Sequence, residues 1–374
     1  MTIPRLHRRA CLIGAFAGLA GARSLAGFTD GDSVLPGRAL AFPRDHGAHL
    51  GARIEWWYAT GWLQADAQAP LVGFQVTFFR SRTGVGDAVS GRFAPRQLLF
   101  AHAAVTDVAA KRHRHAQRIS RWSGDEALPD AHARRADTAV VLGRWSLQRE
   151  AANGHYTARI DAPEAGLALD LQLRPTQPLL LQGTAGYSQK GPEPRQASHY
   201  YSQPQLAVQA TLVQDGQKRA LTGRGWLDHE WSDELLAPGA VGWDWIGINL
   251  TDGGALTAFA LRRADGSVLW AGGSHRPAGT AVRNFAPGEV VFTPGRVWAS
   301  PATGARYPVQ WQIGTPAGTF ELRALLDAQE LDSRASTGTV YWEGLAELLA
   351  PGGARVGLGY LEMTGRAQPL RLGL

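Results

Sequence analysis

Along residues 53–63, Arg53-Ile54-Glu55-Trp56-Trp57-Tyr58-Ala59-Thr60-Gly61-Trp62-Leu63, aromatic and polar groups mix with no helical spacing, so the stretch predicts a strand. A turn over 66–70 leads into residues 71–80, where Phe74, Val76 and Phe78 fall on one face of a second strand. The two make a hairpin. Further strands are predicted at 97–107, 137–149, 155–161, 166–173, 205–214 and 219–231, the last two around an Asp215-Gly216 turn. That spacing suits an antiparallel barrel or sandwich. A second series opens with Gly242-Trp243-Asp244-Trp245 and returns through Thr251-Asp252-Gly253-Gly254 to an apolar strand at 255–263. Both hairpins run aromatic-rich strand, turn, apolar strand, arginine. This reads as a weak internal duplication, each half a closed or nearly closed sheet. Only 323–331 and 343–350 carry patterns compatible with a helix. The boundary falls near Pro238-Gly239, giving segments 27–236 and 237–374.

Composition changes the picture mainly at the start. Residues 1–26 combine Arg5, His7, Arg8 and Arg9, an apolar run from Ala10 to Leu19, and Ser24-Leu25-Ala26, which reads as an export signal of twin-arginine type. The expected destination is the periplasm or the exterior. Removing this segment deletes four arginines and no acid, so the formal net charge falls from +6 to +2. A nucleic-acid partner thereby loses its electrostatic argument. The basic run Lys111-Arg112-His113-Arg114-His115 is read as a solvated loop. Cys11, the single cysteine, lies in the signal, so no disulfide or thiolate site is expected beyond it. No later stretch reaches 18 consecutive apolar residues, so no transmembrane helix is expected.

Chemistry concentrates in Gly225-Trp226-Leu227-Asp228-His229-Glu230-Trp231. In an extended chain Trp226, Asp228 and Glu230 share one face and Leu227, His229 and Trp231 the other. The two carboxyls then lie roughly 7 Å apart at the backbone. Burying both drives their pKa values apart and leaves an acid beside a base. The plainer alternative is a core strand whose acids are neutralised by arginines such as Arg53 or Arg224. No G-x-S-x-G, H-E-x-x-H or G-x-x-x-x-G-K run occurs, so a serine hydrolase, a zinc protease and a phosphate loop lack their motifs, and no metal or cofactor is expected.

Four motifs carry a resemblance: Arg53-Ile54-Glu55-Trp56-Trp57-Tyr58, Gly73-Phe74-Gln75 with Thr77-Phe78-Phe79-Arg80, the 225–231 stretch, and Gly242-Trp243-Asp244-Trp245. Over about residues 40–370 the chain resembles the lipocalin-like family of carotenoid 1,2-hydratases, AttH proteins and secreted proteins labelled hydrolases. The resemblance implies an all-β fold of two tandem lipocalin-like antiparallel β-barrels and a small apolar ligand: isoprenoid, polyketide or lipid. The hydratases add water to a terminal isoprenoid double bond. Such chemistry fits Asp228 as the acid, with Glu230 or Asp244 as alternatives, and His229 orienting water or a carboxylate. Glu55, Trp56, Trp57, Tyr58, Trp226, Trp231, Trp243 and Trp245 would contact the ligand, indole faces stabilising a cation by about 2 kcal/mol when water is excluded. The alternative is a non-catalytic periplasmic carrier of a lipophilic molecule beside an ABC-type envelope exporter. Enzyme and carrier both stay open at this point.

Overall fold

The computed structural model describes residues 33–85, 91 and 94–370; the expected export signal lies outside them. Among the described residues the chain is all β, with 3₁₀ turns at Arg44–His46 and Pro163–Ala165 and no α-helix. No helix is long and apolar enough to cross a membrane.

The first sheet contains β1 (Ile54–Gln64), β2 (Val72–Arg82), β3 (Gln97–Asp107), β4 (Arg112–Trp122), β5 (Ala131–Ala133), β6 (Ala139–Leu142), β7 (Trp145–Arg149), β8 (Tyr156–Ala162), β9 (Leu167–Arg174), β10 (Leu180–Leu181), β11 (Tyr187–Gln189), β12 (Ala197–Gln214) and β13 (Gln217–Ser232). Its path runs β4-β3-β2-β1-β13-β12-β9-β8-β7-β6-β5, with β10 and β11 also paired to β12. Strand β4 touches β5 and β6, so the sheet is a nearly closed antiparallel barrel.

The second sheet takes β14 (Gly242–Leu250), β15 (Ala255–Arg262), β16 (Val268–Arg276), β17 (Arg283–Phe285) and β18 (Val291–Pro294). After a separate pair, β19 (Val297–Ala299) and β20 (Arg306–Pro308), it adds β21 (Gln310–Thr315), β22 (Gly318–Ala324), β23 (Glu330–Asp332), β24 (Val340–Leu349) and β25 (Arg355–Met363). Its order is β17-β16-β15-β14-β25-β24-β22-β21-β18.

Two local expectations are corrected. Residues 343–350, read as helical from their Leu, Ala and Glu, lie almost wholly in β24, and 323–331 cover the end of β22, a turn and the start of β23. Sheet partners on both sides of β24 override a weak intrinsic preference. The basic run 111–115 enters β4, a strand at the end of the path where charged side chains reach solvent.

Strand β13 lies between β1 and β12, and its last eight residues are all buried. Burial on both faces arises because the barrel core lies on one side and the second sheet on the other. Trp57, Phe74, Phe78 and Leu227 fill the barrel, while Tyr58 and Trp226 pack with Trp245, Phe259, Leu345 and Tyr360 in the seam. The β12–β13 hairpin turns through Asp215 and Gly216, both at positive φ, as a tight hairpin turn requires.

A bulge between Gln203 and Leu206 then shifts the pairing by one residue. Because a one-residue shift exchanges the faces of a strand, it sets Ser202 opposite Asp228 and Tyr200 opposite Glu230, all on the seam side. Without it Tyr201 and Gln203 would stand there. Across the seam the bulge is held by Asn249, whose Oδ1 accepts from the Gln205 amide at 2.7 Å and whose Nδ2 donates to the Gly225 carbonyl at 3.0 Å.

On the barrel side, residues 45–55 are tied down by a buried ion pair. Arg80 donates to Glu55 Oε2 (2.8 Å), Gln97 Oε1 (2.7 Å) and the carbonyls of His49 (2.7 Å) and Ala52 (2.9 Å). His49 Nδ1 and His229 Nε2 both bond to Glu55 Oε1, at 2.8 and 2.9 Å. Burial pushes the Glu55 carboxyl up, but Arg80 and the two histidines outweigh it and hold the group well below the usual carboxylate range. Glu55 is therefore ionised. Replacing Arg80 with Met should leave that charge buried without its guanidinium partner, at a cost of about 3–5 kcal/mol. Urea unfolding should show a lower midpoint with little change in slope; a midpoint like that of the wild type would remove the pair from its anchoring role.

Candidate functional site

A cavity of about 420 Å³ opens in the seam. Strand β1 contributes Trp56 and Tyr58, β13 contributes Asp228 and Glu230, β14 Trp243 and Trp245, β15 Phe259 and Leu261, β24 Tyr341 and Glu343, and β25 Glu362. Alternation along each strand explains these choices, since residues two apart share a face. Trp56 stacks near Trp243 with ring centroids 6.5 Å apart, and Tyr58 meets Trp245 edge-on at 5.4 Å. The walls are thus aromatic with acids set among them.

Asp228 has no counter-cation among the described residues. Its Oδ1 accepts from Ser202 (2.6 Å) and Trp226 Nε1 (2.7 Å), and its Oδ2 from the Tyr200 hydroxyl (2.8 Å), which itself accepts from Trp245 Nε1 at 3.2 Å. Burial pushes the Asp228 pKa up to about 7, against the pull of these neutral donors. Burial likewise holds the Tyr200 hydroxyl well above its ordinary value, so it stays a donor.

Glu230 is different. Lys190 Nζ lies 3.1 Å from its Oε1, and Ser198 donates to the same oxygen. Lys190 also sits 4.1 Å from the centre of the Phe259 ring. Two further acids join from the second sheet. Glu362 accepts from Trp243 Nε1 at 2.8 Å and is raised to about 7, first by burial and then by Glu230 and Asp228. Glu343 accepts from Gln75 Nε2 at 2.7 Å and is pushed well above the carboxylate range by burial and by Glu362.

The structure divides the residues expected from sequence. Asp228, Glu230, Trp56, Tyr58, Trp243 and Trp245 line the cavity, and Trp226 packs behind Asp228 in the seam. His229, Trp57 and Trp231 face away from it. His229 Nδ1 bonds to Tyr201 and its Nε2 to Glu55, so it cannot orient water for Asp228. Glu55 borders the cavity, but its carboxyl is turned inward onto Arg80 and the histidines. Asp244 is corrected as an acid candidate. It shares the face of Ile246, toward the core of the second sheet, and is paired with Arg262 at 2.7 Å and with Arg366 at 2.8 and 2.9 Å.

Sequence reasoning missed Tyr200, Ser202, Lys190, Gln75, Glu343 and Glu362. A signal existed for the last two: each acid interrupts a strand that is otherwise mostly apolar, and buried acids are rare without a purpose.

His49 Nδ1, Glu55 Oε1 and His229 Nε2 lie within 4.8 Å of one another, a donor set suited to a transition metal. These atoms already bond to one another, and Arg80 neutralises the carboxylate, so the residues do not fit a metal. A second hollow, about 800 Å³, lies beside Trp62, Tyr156 and Arg224 and includes none of the expected site residues.

Comparison with known proteins places this geometry. The chain matches the AttH-like family over residues 33–366. It is similar to the crystal structure of an AttH-type protein from Nitrosomonas europaea, with a TM-score of 0.81 and 45% identity over 89% of this chain and 99% of that one. Kievitone hydratase from Nectria haematococca has the same fold at a TM-score of 0.66 and 14% identity, covering 87% of this chain and 93% of its own. So does CghA, at 0.55 and 15%, covering 92% and 96%. No curated protein matches significantly. A lipocalin-like chain that matches one family over nearly all of its described length has a clear assignment: it belongs to the AttH-like family.

Proposed function

We propose that the seam cavity catalyses acid-promoted addition of water to a carbon–carbon double bond of an apolar ligand, isoprenoid in the first instance. The observation that supports this most is Asp228: a buried carboxyl with neutral partners only, beside an aromatic cavity, able to hold a proton near neutrality. The shared fold of kievitone hydratase is consistent with it. In this reading Asp228 gives its proton to one alkene carbon, and a tertiary cation forms on the other. The faces of Trp56, Trp243 and Trp245 lower its energy. Water adds to the cation and passes a proton to Glu230, whose carboxyl lies 3.1 Å from Lys190 Nζ. Proton exchange with solvent then restores both acids, so the net change is alkene plus water to alcohol.

A second reading, carriage of a lipophilic molecule in the cell envelope, draws support from the largely apolar cavity walls. Catalysis and carriage diverge for one variant. With Asp228→Asn, turnover of an acyclic terpenoid should fall about 10²–10⁴-fold while affinity stays within a few fold. Mass spectrometry should detect a product heavier by one water with the wild type only; no such product across a terpenoid panel favours carriage.

The pH dependence has a defined sign. Asp228 acts in its protonated form, so above about 7 the rate should fall about tenfold per pH unit. A rate that rises through this range would assign Asp228 the role of base.

Export is the third part of the proposal and is supported by Arg8-Arg9 and the apolar run behind them. Arg8→Lys with Arg9→Lys in the full chain should retain the protein in the cytoplasm on fractionation. Unchanged export of that double variant would refute the twin-arginine route.

A further inference from the structure

We propose that the Glu343 end of the seam cavity is a head-group subsite for a protonated amine carried by the apolar ligand. This rests on the reading of the cavity as the ligand site and names the ligand's polar end. At this end Glu343 Oε1 and the Tyr58 hydroxyl, both on the cavity wall, have no partner but each other, and Gln75 Oε1 next to them has none. Their residues are 2%, 6% and 1% exposed. Leaving such groups unsatisfied is unfavourable, so a ligand that completes them gains affinity.

A chain of hydrogen bonds fixes which atoms are free. Gln117 Nε2 donates to the Asp332 carbonyl at 2.8 Å, so Gln117 Oε1 accepts from Ser336 Oγ at 2.6 Å. Ser336 Oγ must then accept from His102 Nε2 (2.9 Å), and His102 Nδ1 from the Tyr341 hydroxyl (2.8 Å). That leaves the Tyr341 oxygen to accept from Gln75 Nε2 at 3.1 Å. The Gln75 amide is thereby oriented, with its nitrogen toward Glu343 Oε2 and its oxygen unused. On the carboxyl, Oε2 is held by Gln75 and Oε1 has only the Tyr58 hydroxyl beside it.

The available set is rich in acceptors and has no positive charge. No described lysine or arginine pairs with Glu343 or Glu362, Lys190 is engaged by Glu230, and burial lowers the His102 pKa to about 3, so its ring is neutral at neutral pH. A primary ammonium can donate to Glu343 Oε1 and to the Tyr58 oxygen together, and brings a charge that lets Glu343 ionise as a partner. An alcohol supplies one donor; a carboxylate meets only repulsion.

The test is calorimetric binding of geranylamine, geraniol and geranic acid to the full chain at neutral pH, below their aggregation limits. Geranylamine should bind at least tenfold more tightly than geraniol, and geranic acid most weakly. Glu343→Gln should abolish the amine's advantage while geraniol affinity changes less than threefold. Tyr58→Phe should reduce it severalfold and serves if the first variant does not fold. Equal affinities, tighter binding of geranic acid, no binding of any probe, or an amine advantage unchanged in the variants would each overturn the subsite. An amine preference without water addition to any alkene would instead refute only the hydratase reading.

Discussion

A carboxyl group taken out of water with no cation beside it is unstable as an anion, and the seam of this protein is built around such a group. For Asp228 a rise from 3.8 to about 7 corresponds to roughly 4 kcal/mol between its two protonation states. The neutral donors around it, Ser202, Tyr200 and Trp226, recover part of that difference and no more. Were an arginine in their place, the group would be a permanent anion with no proton to give. Glu362 and Glu343 follow the same rule across the cavity.

The opposite face of the same strand shows the contrasting solution. His229 and Trp231 point toward the first barrel, where Glu55 meets Arg80 and two imidazoles and is ionised. One acid is therefore charged and anchored, while another, three strand positions from the ladder partner of Glu55, is held neutral. Period-two alternation makes this division, and the bulge at Gln205 completes it by turning Tyr200 and Ser202 toward Asp228.

Much of this was legible from the residues. Alternation alone put Asp228 and Glu230 on one face and His229 on the other, and Asp215-Gly216 marked the hairpin. What local pattern does not contain is which face meets the other half of the chain. His229 looked as chemical as Asp228 because both are titratable; only packing shows that one faces Glu55 and the other the cavity. Asp244 was misread for the same reason, since Arg366 lies 122 residues away. Lys190, Glu343 and Glu362 reach the site from distant strands or loops and have no neighbouring motif. The Leu, Ala and Glu of 343–350 mimicked a helix because propensity is local and strand pairing is not.

The position of the cavity follows from how the first barrel is filled. A small barrel has an interior wide enough either for its own side chains or for one ligand. Here Trp57, Trp122, Trp145, Tyr156 and Phe74 are nearly or wholly buried in one contiguous core, which leaves the first alternative. A ligand site must then be made elsewhere, and the second sheet provides the missing wall. Each half brings acids that it could not bury alone: Asp228 and Glu230 from the first, Glu343 and Glu362 from the second. Separating the halves would hydrate Asp228, Glu343 and Glu362 and return them to ordinary carboxylates. The chemistry thus depends on the docking of the two sheets, and the Asn249 contacts with Gln205 and Gly225 are as much a part of the site as the acids themselves.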